Sequence, residues 1–378
     1  MRKMKTVFKH VITAILAVGL MMQTGCWSQK QFEDIGFILQ MGLESAPDNK
    51  LLLSITSPVI EQEVKEKVLF KYITTRRLIR TSREDMRNTA GKMLQGGKIQ
   101  HLYFSKELAQ KGISEFMEVF LRDPENPLLA NIVIVDGSPR ELMEASSKYT
   151  DKPRPAIYFA NLIQDAHRRS AAPEARISNF IIWYYSKTID PVATFVKFDD
   201  ENITIAGTAF FKGDKMVGTI DENQTVLLNA LKGAGRNFEY TYREAIKGEK
   251  EGVIKQGAAF SVNHFKSRSK IDLSGSRPVI EVRLDLKTEL NENAGPHNLD
   301  KPDEQRKMED ALEVGIREDV TTLLTKLRDA GSDPVGFGEL VRSKHPEYWK
   351  QNNWKEVYKD AEFLVEVQVT LESYGTIK

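Results

Sequence analysis

Residues 279–290 have the sequence Val-Ile-Glu-Val-Arg-Leu-Asp-Leu-Lys-Thr-Glu-Leu, in which apolar and charged side chains alternate. Successive side chains of a β-strand point to opposite faces, so the alternation separates an apolar face from a charged one. The apolar face would carry Ile280, Val282, Leu284 and Leu286. This pattern predicts a half-buried antiparallel strand in the second half of the chain.

A long helix and another alternating strand follow this stretch. Residues 365–371 alternate between apolar and polar side chains, so we expect a last half-buried strand there. Before it, apolar residues recur every three or four positions, which predicts the buried face of one long amphipathic helix. These residues are Met308, Leu312, Ile316, Val320, Leu323 and Leu327, and the outer face would carry Glu309, Glu313 and Arg317.

Turn and capping signals organise the residues before position 279. Gly213-Asp214 separates two extended segments and predicts a tight hairpin over residues 204–220. Asp221 and Gln224 have the spacing of a capping box, so a helix is expected to begin after Asp221. Residues 177–186 are dense in apolar and aromatic side chains, and we expect them in the core rather than in a ligand cage.

The first half of the chain alternates strands and helices. A hairpin is predicted over residues 35–60, and strands are predicted at residues 99–104 and 128–135. Ser105 is expected to cap the helix after the second of these strands, and Ser138-Pro139 to begin the helix after the third. The expected fold class is α+β, with mixed and antiparallel sheets and packed helices in an ectodomain of two to three domains.

We divide the chain into domains at residues 145–156, because this segment is rich in Ser, Thr and Pro and resembles a linker. The expected parts are residues 1–25 as a lipoprotein signal peptide, residues 26–150 as an N-terminal α/β domain, residues 151–203 as a middle domain or an extension of the first, and residues 204–378 as a C-terminal domain.

The N-terminus has the order of a lipoprotein signal. A basic segment precedes the twelve uncharged residues 11–22, and Thr24, Gly25 and Cys26 follow. Twelve helical residues span roughly 18 Å, which is less than the ~30 Å hydrocarbon core of a bilayer. We therefore predict acylation of Cys26, and the alternative is an ordinary secretory signal with an incidental cysteine.

The composition excludes several classes of function. Cys26 is the only cysteine, so the chain can form neither an internal disulfide nor a thiolate metal site. No H-E-x-x-H or G-x-S-x-G motif occurs, and residues 91–98 lack the lysine that a P-loop requires directly after its second glycine. A formal net charge of +1 gives no reason to expect a nucleic-acid partner.

Two surface segments each leave two interpretations open. The five arginines within residues 75–87 could contact anionic lipid headgroups or form a solvated helix face. In the segment His345-Pro346-Glu347-Tyr348-Trp349, proline disfavours helix at the preceding residue, so a turn is expected there. Glu347, Tyr348 and Trp349 are a candidate interface, although aromatic residues are also common in cores.

Several stretches together resemble one family, the Ger(x)C family of C-subunit lipoproteins from spore nutrient-germinant receptors. The resemblance covers nearly the whole chain after the signal and is strongest in residues 200–378. The matching stretches are Gly25-Cys26-Trp27, Ile35-Gly36, residues 101–124, residues 205–218, Asp333-Pro334-Val335-Gly336-Phe337-Gly338, residues 345–349 and the final strand to Gly375.

The resemblance implies a role in nutrient-triggered spore germination. Members of the family associate with two integral-membrane receptor subunits at the outer face of the spore's inner membrane, to which lipid on Cys26 would hold this chain. They have no known enzymatic activity, and no catalytic residue, cofactor or metal is implied. The alternative function is a solute-binding lipoprotein of a transporter, which would need two similar α/β lobes around a cleft. An extracytoplasmic hydrolase is disfavoured by the missing motifs.

Overall fold

The computed structural model describes residues 2–21, 34–48, 50–58, 69–76, 79–122, 126–235, 237–243, 257–293 and 301–373. The strands are β1 (Ile35–Phe37), β2 (Gln40–Ala46), β3 (Lys50–Pro58), β4 (Leu69–Arg76), β5 (Met93–Gln95), β6 (His101–Ser105), β7 (Asn131–Val135), β8 (Val192–Phe198), β9 (Ile203–Lys212), β10 (Lys215–Ile220), β11 (Phe238–Arg243), β12 (Gly257–Asp272), β13 (Val279–Asn293) and β14 (Glu362–Ser373).

The helices are α1 (Arg2–Met21), α2 (Ile79–Ala90), α3 (Lys106–Lys111), α4 (Ser114–Arg122), α5 (Pro139–Lys148), α6 (Pro155–Arg168), α7 (Ile177–Tyr185), α8 (Glu222–Leu231), α9 (Pro302–Asp329), α10 (Phe337–Lys344), α11 (Pro346–Gln351) and α12 (Trp354–Val357), followed by a 3₁₀ turn at Tyr358–Asp360. Within the described ranges, no helix combines the length and the apolar character needed to cross a bilayer.

The first sheet has eight strands in the order β10-β9-β8-β7-β6-β2-β3-β4. Its centre, from β2 through β6 and β7 to β8, is parallel, and the strands at both ends pair antiparallel. Parallel neighbours require crossover connections, which the helices between β6, β7 and β8 provide. The predicted mixed sheet with packed helices is confirmed.

Helices cover both faces of this sheet. Apolar residues of α2, α3, α4 and α7 form a core on one face, and residues of α5 and α6 form a second core on the other. Ser105 and Ser138 accept hydrogen bonds from the first turns of α3 and α5, as the sequence predicts. The predicted hairpin is confirmed as β2 and β3, and residues 35–37 pair separately with β5.

The second sheet has four strands in the order β11-β12-β13-β14. Ile280, Val282, Leu284 and Leu286 of β13 are buried, which confirms the predicted half-buried strand. β13 is antiparallel to β12 but parallel to β14, because α9 to α12 carry the chain back between β13 and β14. The predicted buried stripe of α9 is also confirmed, but Glu309 and Glu313, expected on its outer face, lie against β14. A third core joins this sheet, α8, α9 and residues of the first sheet.

Two sequence-based expectations need correction. Residues 177–186 form mostly a helix, which buries only one side, so Phe180 is buried whereas Ile182 and Tyr185 are exposed. The placement of that whole stretch in the core is therefore wrong. The predicted linker at residues 145–156 is shorter, because α5 continues to Lys148 and α6 begins at Pro155.

The first sheet extends across the expected boundaries at residues 150 and 203. Its eight strands are β2 to β4 and β6 to β10, so residues 151–203 supply two connecting helices and one of its strands. Residues 203–220 add the hairpin of β9 and β10, with Gly213-Asp214 at its turn as expected. The division into separate domains remains a prediction.

Candidate functional site

The predicted interface residues lie on the short helix α11. His345 stands between α10 and α11 with φ −130° and ψ 60°, so the chain turns at the position that the sequence predicts. Glu347 is exposed and pairs with Lys350 at 2.9 Å. Tyr348 and Trp349 are half-buried and pack against the core between the two sheets. The two rings are therefore partly structural, and Glu347 is the residue of the three that faces outward.

The predicted lipid-attachment residue, Cys26, lies outside the described residues. Its acylation remains a prediction.

A buried carboxylate organises the segment before α11. Asp333 is 3% exposed, and its two oxygens accept hydrogen bonds from the backbone N–H groups of Gly336, Phe337 and Gly338 at 2.8, 3.1 and 2.9 Å. These are first-turn donors of α10 that have no partner within the helix. Asp333 therefore caps α10 from three residues before its N-cap residue, Gly336.

An indole completes the environment of this carboxylate. Trp354 Nε1 donates to Asp333 at 3.0 Å, so all four partners of the carboxylate are N–H donors. Burial raises the pKa of Asp333, and the hydrogen bonds from Trp354 and the backbone oppose that rise. A Cβ atom at position 338 would lie 2.6 Å from Trp354 Cδ1 and 2.8 Å from the Thr188 carbonyl oxygen, so close packing requires Gly338.

A second buried carboxylate connects this segment to the first sheet. Asp190 is 1% exposed and accepts hydrogen bonds from Asp333 N at 3.0 Å and from Gly213 N at 3.1 Å. It also forms an ion pair with Lys355 at 2.8 Å. Asp190 precedes β8, Gly213 lies in the β9–β10 turn and Lys355 lies in α12. We call Asp190 and Asp333 the aspartate pair.

A half-buried lysine directly after α8 supports the same segment. Lys232 Nζ donates to the Pro334 carbonyl at 2.6 Å and lies 4.9 Å from the centre of the Trp183 ring. Burial lowers its pKa to about 8, although nearby Asp333 favours the charged form. The segment is thus held by Lys232 after α8, by Trp354 of α12 and by Asp190 before β8.

This arrangement fixes structure rather than supplying a reactive group. Both carboxylates of the aspartate pair are occupied by protein donors, and a satisfied buried pair is costly to disturb. Within the described ranges, no group of three His, Asp or Glu side chains could hold a metal ion.

Buried His101 also has a structural environment. Its Nε2 lies 3.2 Å from the Ala156 carbonyl, and burial lowers its pKa to about 4.

Two surface depressions are open to solvent. One of about 630 Å³ lies on the outer face of the second sheet, between charged side chains such as Arg268, Glu281 and Arg283. The other, of about 230 Å³, lies beside α6 and is lined by residues including Arg168 and Asn229. Neither depression borders the aspartate pair.

The sequence reasoning missed Asp190, Lys232 and Lys355. Asp190-Pro191 and Asp333-Pro334 are the same dipeptide, which is a signal that could have linked them. The dipeptide also occurs at Asp123-Pro124, so it is not specific on its own. Lys232 and Lys355 have no distinguishing sequence context.

Comparisons with known proteins agree across sequence and fold. The family model described as the spore germination protein N-terminal domain matches residues 28–198, and the spore germination B3/GerAC-like C-terminal model matches residues 206–375. Putative spore germination protein YfkR of Bacillus subtilis is 22% identical, over 99% of this chain and 98% of that protein. Spore germination protein B3 of Bacillus subtilis is 20% identical, over 99% and 100%.

A shorter match and a solved structure support the same relationship. Spore germination protein GerQC of Bacillus cereus is 23% identical, over 75% of this chain and 76% of that protein. The crystal structure of the GerBC protein aligns with a TM-score of 0.58 at 16% identity, covering 88% of this chain and 96% of that one. At that identity, the structural match shows a shared fold.

Proposed function

Because this chain belongs to the Ger(x)C family of spore germination proteins, we propose that it is a lipid-anchored, non-enzymatic subunit of a spore germinant receptor. It would serve receptor assembly or signalling in nutrient-triggered germination, together with two integral-membrane subunits. The observation that carries the proposal is the match of two spore germination family models to residues 28–198 and 206–375.

The structure supports a role as a binding scaffold. The aspartate pair and Lys232 are held by protein partners, which suits a fixed surface better than a reactive centre. These contacts hold residues 333–338 in place, and the chain continues from them through α10 to α11, whose Glu347 is exposed. A surface that is rigid before binding loses less conformational entropy when a partner docks.

Acylation of Cys26 would give this surface access to the membrane subunits. We propose that the chain lies on the outer face of the spore's inner membrane, held by lipid on Cys26. Confinement to the same membrane raises the effective concentration of a weakly bound partner, so lateral contacts need little intrinsic affinity.

The transporter alternative is not favoured by the fold. A solute-binding lipoprotein of that kind would have two similar α/β lobes around a cleft. The described residues instead form an eight-stranded mixed sheet and a four-stranded sheet of different topology.

The proposal is tested in spores from which the gene has been deleted. We expect them to germinate poorly with the nutrients recognised by the co-encoded membrane subunits, and normally with a trigger that bypasses the receptors. The abundance of those membrane subunits should also fall, because they would lose the stability that binding to this chain gives them. Normal germination with every such nutrient would contradict the function.

The anchor is tested by complementing the same spores. Cys26→Ala should abolish incorporation of radioactive fatty acid and fail to restore germination, whereas Ser28→Ala should behave like the parent chain. Equal fatty-acid labelling of Cys26→Ala and the parent would refute acylation at Cys26.

A further inference from the structure

Five large apolar side chains are exposed on the face of the first sheet that α4 and α7 cover. Their exposed fractions range from 38% for Leu128 to 67% for Leu129. We call this set the apolar patch, and it consists of Leu121, Leu128, Leu129, Ile182 and Tyr185. Large exposed apolar groups that cluster in this way mark an interaction surface more often than isolated ones do.

Hydrogen bonds and packing bring the segments that carry the patch next to one another. The N–H of Ser178 donates to the Leu128 carbonyl at 2.9 Å, which holds the loop before β7 against the start of α7. Ser178, Ile182 and Tyr185 are spaced at i, i+4 and i+7, so they share one face of α7. Leu121 lies in the last turn of α4, which packs against α7 in the same core.

The composition of α7 suits a lipid–water interface. Tyr184 is half-buried, the centre of its ring lies 4.9 Å from that of exposed Tyr185, and tyrosine favours the headgroup level of a bilayer. Arg176, which forms an ion pair with Glu174 at 3.1 Å, and Lys187 flank the helix, and residues 176–187 contain no Asp or Glu. A polar edge of cations around an apolar helix face is typical of helices that lie in a membrane interface.

The patch also lies near the point where the chain reaches the membrane. Cys26 precedes Asp34 by eight residues, and such a segment spans at most about 29 Å when fully extended. β1 follows directly and pairs with β5. Lipid on Cys26 would therefore hold the β1–β5 ribbon within that distance of the bilayer.

Direct neighbours connect this ribbon to the patch. Ile38 N donates to the Gln95 carbonyl at 2.9 Å, just after β1. The next residue, Gly96, lies so close to Asn126 that a Cβ atom there would be 2.6 Å from Asn126 Oδ1. Asn126 precedes Leu128 by two residues. The patch therefore begins beside the carboxyl end of the β1–β5 ribbon.

We propose that the apolar patch docks on the phospholipid surface and forms a second membrane contact of the chain. The inference rests on the proposed acylation of Cys26, because the short tether selects the bilayer as the occupant of this face. One acyl anchor fixes the distance from the membrane but leaves the body free to rotate. A second contact fixes its orientation, and thereby the direction in which α11 faces.

The test uses the full chain, acylated in a producing host and reconstituted in vesicles of phosphatidylglycerol and phosphatidylcholine. Ile182→Cys and Leu129→Cys are each labelled with a polarity-sensitive fluorophore, and Leu364→Cys is the matched control. Leu364 is also an exposed leucine, at 57%, but it lies on the outer face of the second sheet. We expect spin-labelled lipid to quench the two patch positions several-fold more strongly than position 364.

The parent chain separates a failure of the anchor from a failure of the patch. Cys26 is its only cysteine, so an acylated parent takes up no thiol label. Labelling of the parent would refute the anchor and the docking together. An acylated chain whose patch positions are quenched no more than position 364 would overturn the docking alone. Blue-shifted emission without lipid quenching would mean that another protein surface, such as a second copy, covers the patch, and would also overturn it.

A charge substitution provides an independent readout. Tyr185→Asp should reduce lipid quenching at a fluorophore on Leu129→Cys several-fold, because a carboxylate in the contact would lose hydration and be repelled by the anionic phosphatidylglycerol headgroups. Leu364→Asp is the control and should leave that quenching unchanged. Equal quenching in both variants would contradict docking of the apolar patch on the phospholipid surface.

Discussion

Asp190 and Asp333 bind each other's backbones, although 143 residues separate them in the sequence. Asp333 N donates to the Asp190 carboxylate at 3.0 Å, and Asp190 N donates to the Asp333 carbonyl at 2.9 Å. One residue precedes β8 of the first sheet and the other follows α9. This reciprocal contact fixes the segment that leads to α10 and α11 against the first sheet.

Asp333→Asn should destabilise the chain by about 2–4 kcal/mol. The replacement amide would turn an NH₂ group toward Gly338 N or Trp354 Nε1, which now donate to the same carboxylate oxygen. Urea unfolding followed by fluorescence measures the change. Asp329→Asn is the control, because Asp329 is an exposed partner of Arg328. Equal midpoints for the two variants would contradict the role assigned to Asp333.

His101 should make the fold sensitive to acid. Its pKa is lowered by burial from 6.5 to about 4, so the unfolded chain binds the proton more tightly than the folded one. The contribution of neutral His101 to the free energy of unfolding is therefore complete above the pKa of the unfolded chain, and it is lost as the pH falls from 6.5 toward 4. The expected loss from this group is about 2 kcal/mol between roughly pH 7 and pH 5.

The dependence on His101 is measured by urea unfolding at both pH values. His101→Gln cannot titrate, so its unfolding free energy should fall by less than that of the parent over this interval. His264→Gln, at an exposed position of β12, should keep the full loss. Identical losses for the parent and His101→Gln would refute the assignment.

The edge of the second sheet is closed by two glutamates of α9. Glu313 Oε1 accepts a hydrogen bond from Val369 N at 2.9 Å, and Glu309 Oε1 accepts one from Leu371 N at 2.7 Å. Unpaired edge groups invite pairing with another chain. Glu309→Ala with Glu313→Ala should therefore cost about 1–3 kcal/mol in total and promote self-association.

Sedimentation velocity at increasing concentration measures this self-association. Glu318→Ala is the control, because Glu318 is an exposed residue of the same helix. A double variant that remains as monodisperse as the control would show that these glutamates do not protect the edge.

Glu347→Arg tests the candidate interface. The side chain is exposed and its pair with Lys350 lies at the surface, so the variant should fold normally. If α11 contacts the membrane subunits, reversal of this charge should reduce their co-purification with the chain from spore membranes. Glu318→Arg, which reverses the charge of an exposed residue on α9, is the matched control. A folded Glu347→Arg chain that co-purifies as the control does would remove α11 from the interface.

The sequence predicts much of the local structure because turns and helix caps are determined by residues that are close in the chain. The turn at Gly213-Asp214 and the cap at Asp221 depend on residues close in the chain, and both occur in the structure. The sequence did not show that residues 177–186 expose one side, because the run from Phe180 to Tyr185 is entirely apolar and aromatic and has no polar face to show which side lies outward.

The candidate site was predicted only in part for a related reason. The family resemblance included the Asp333–Gly338 stretch, and Pro346 predicted the turn at His345, because both depend on adjacent residues. It did not identify Asp190 or Lys232 as partners, because contacts across many residues leave no periodic signal in a single chain.

The sequence by itself determined the alternating strand at residues 279–290 and the amphipathic helix before the last strand, because side-chain periodicity follows directly from backbone geometry. It also determined that Cys26 is the only thiol and that no recognised catalytic motif occurs. Only the tertiary structure decided that β14 lies parallel to β13, that one eight-stranded sheet crosses the expected domain boundaries, and that the aspartate pair joins distant segments. The physical reason is that strand order and buried polar contacts depend on how whole elements pack, and local patterns do not encode that packing.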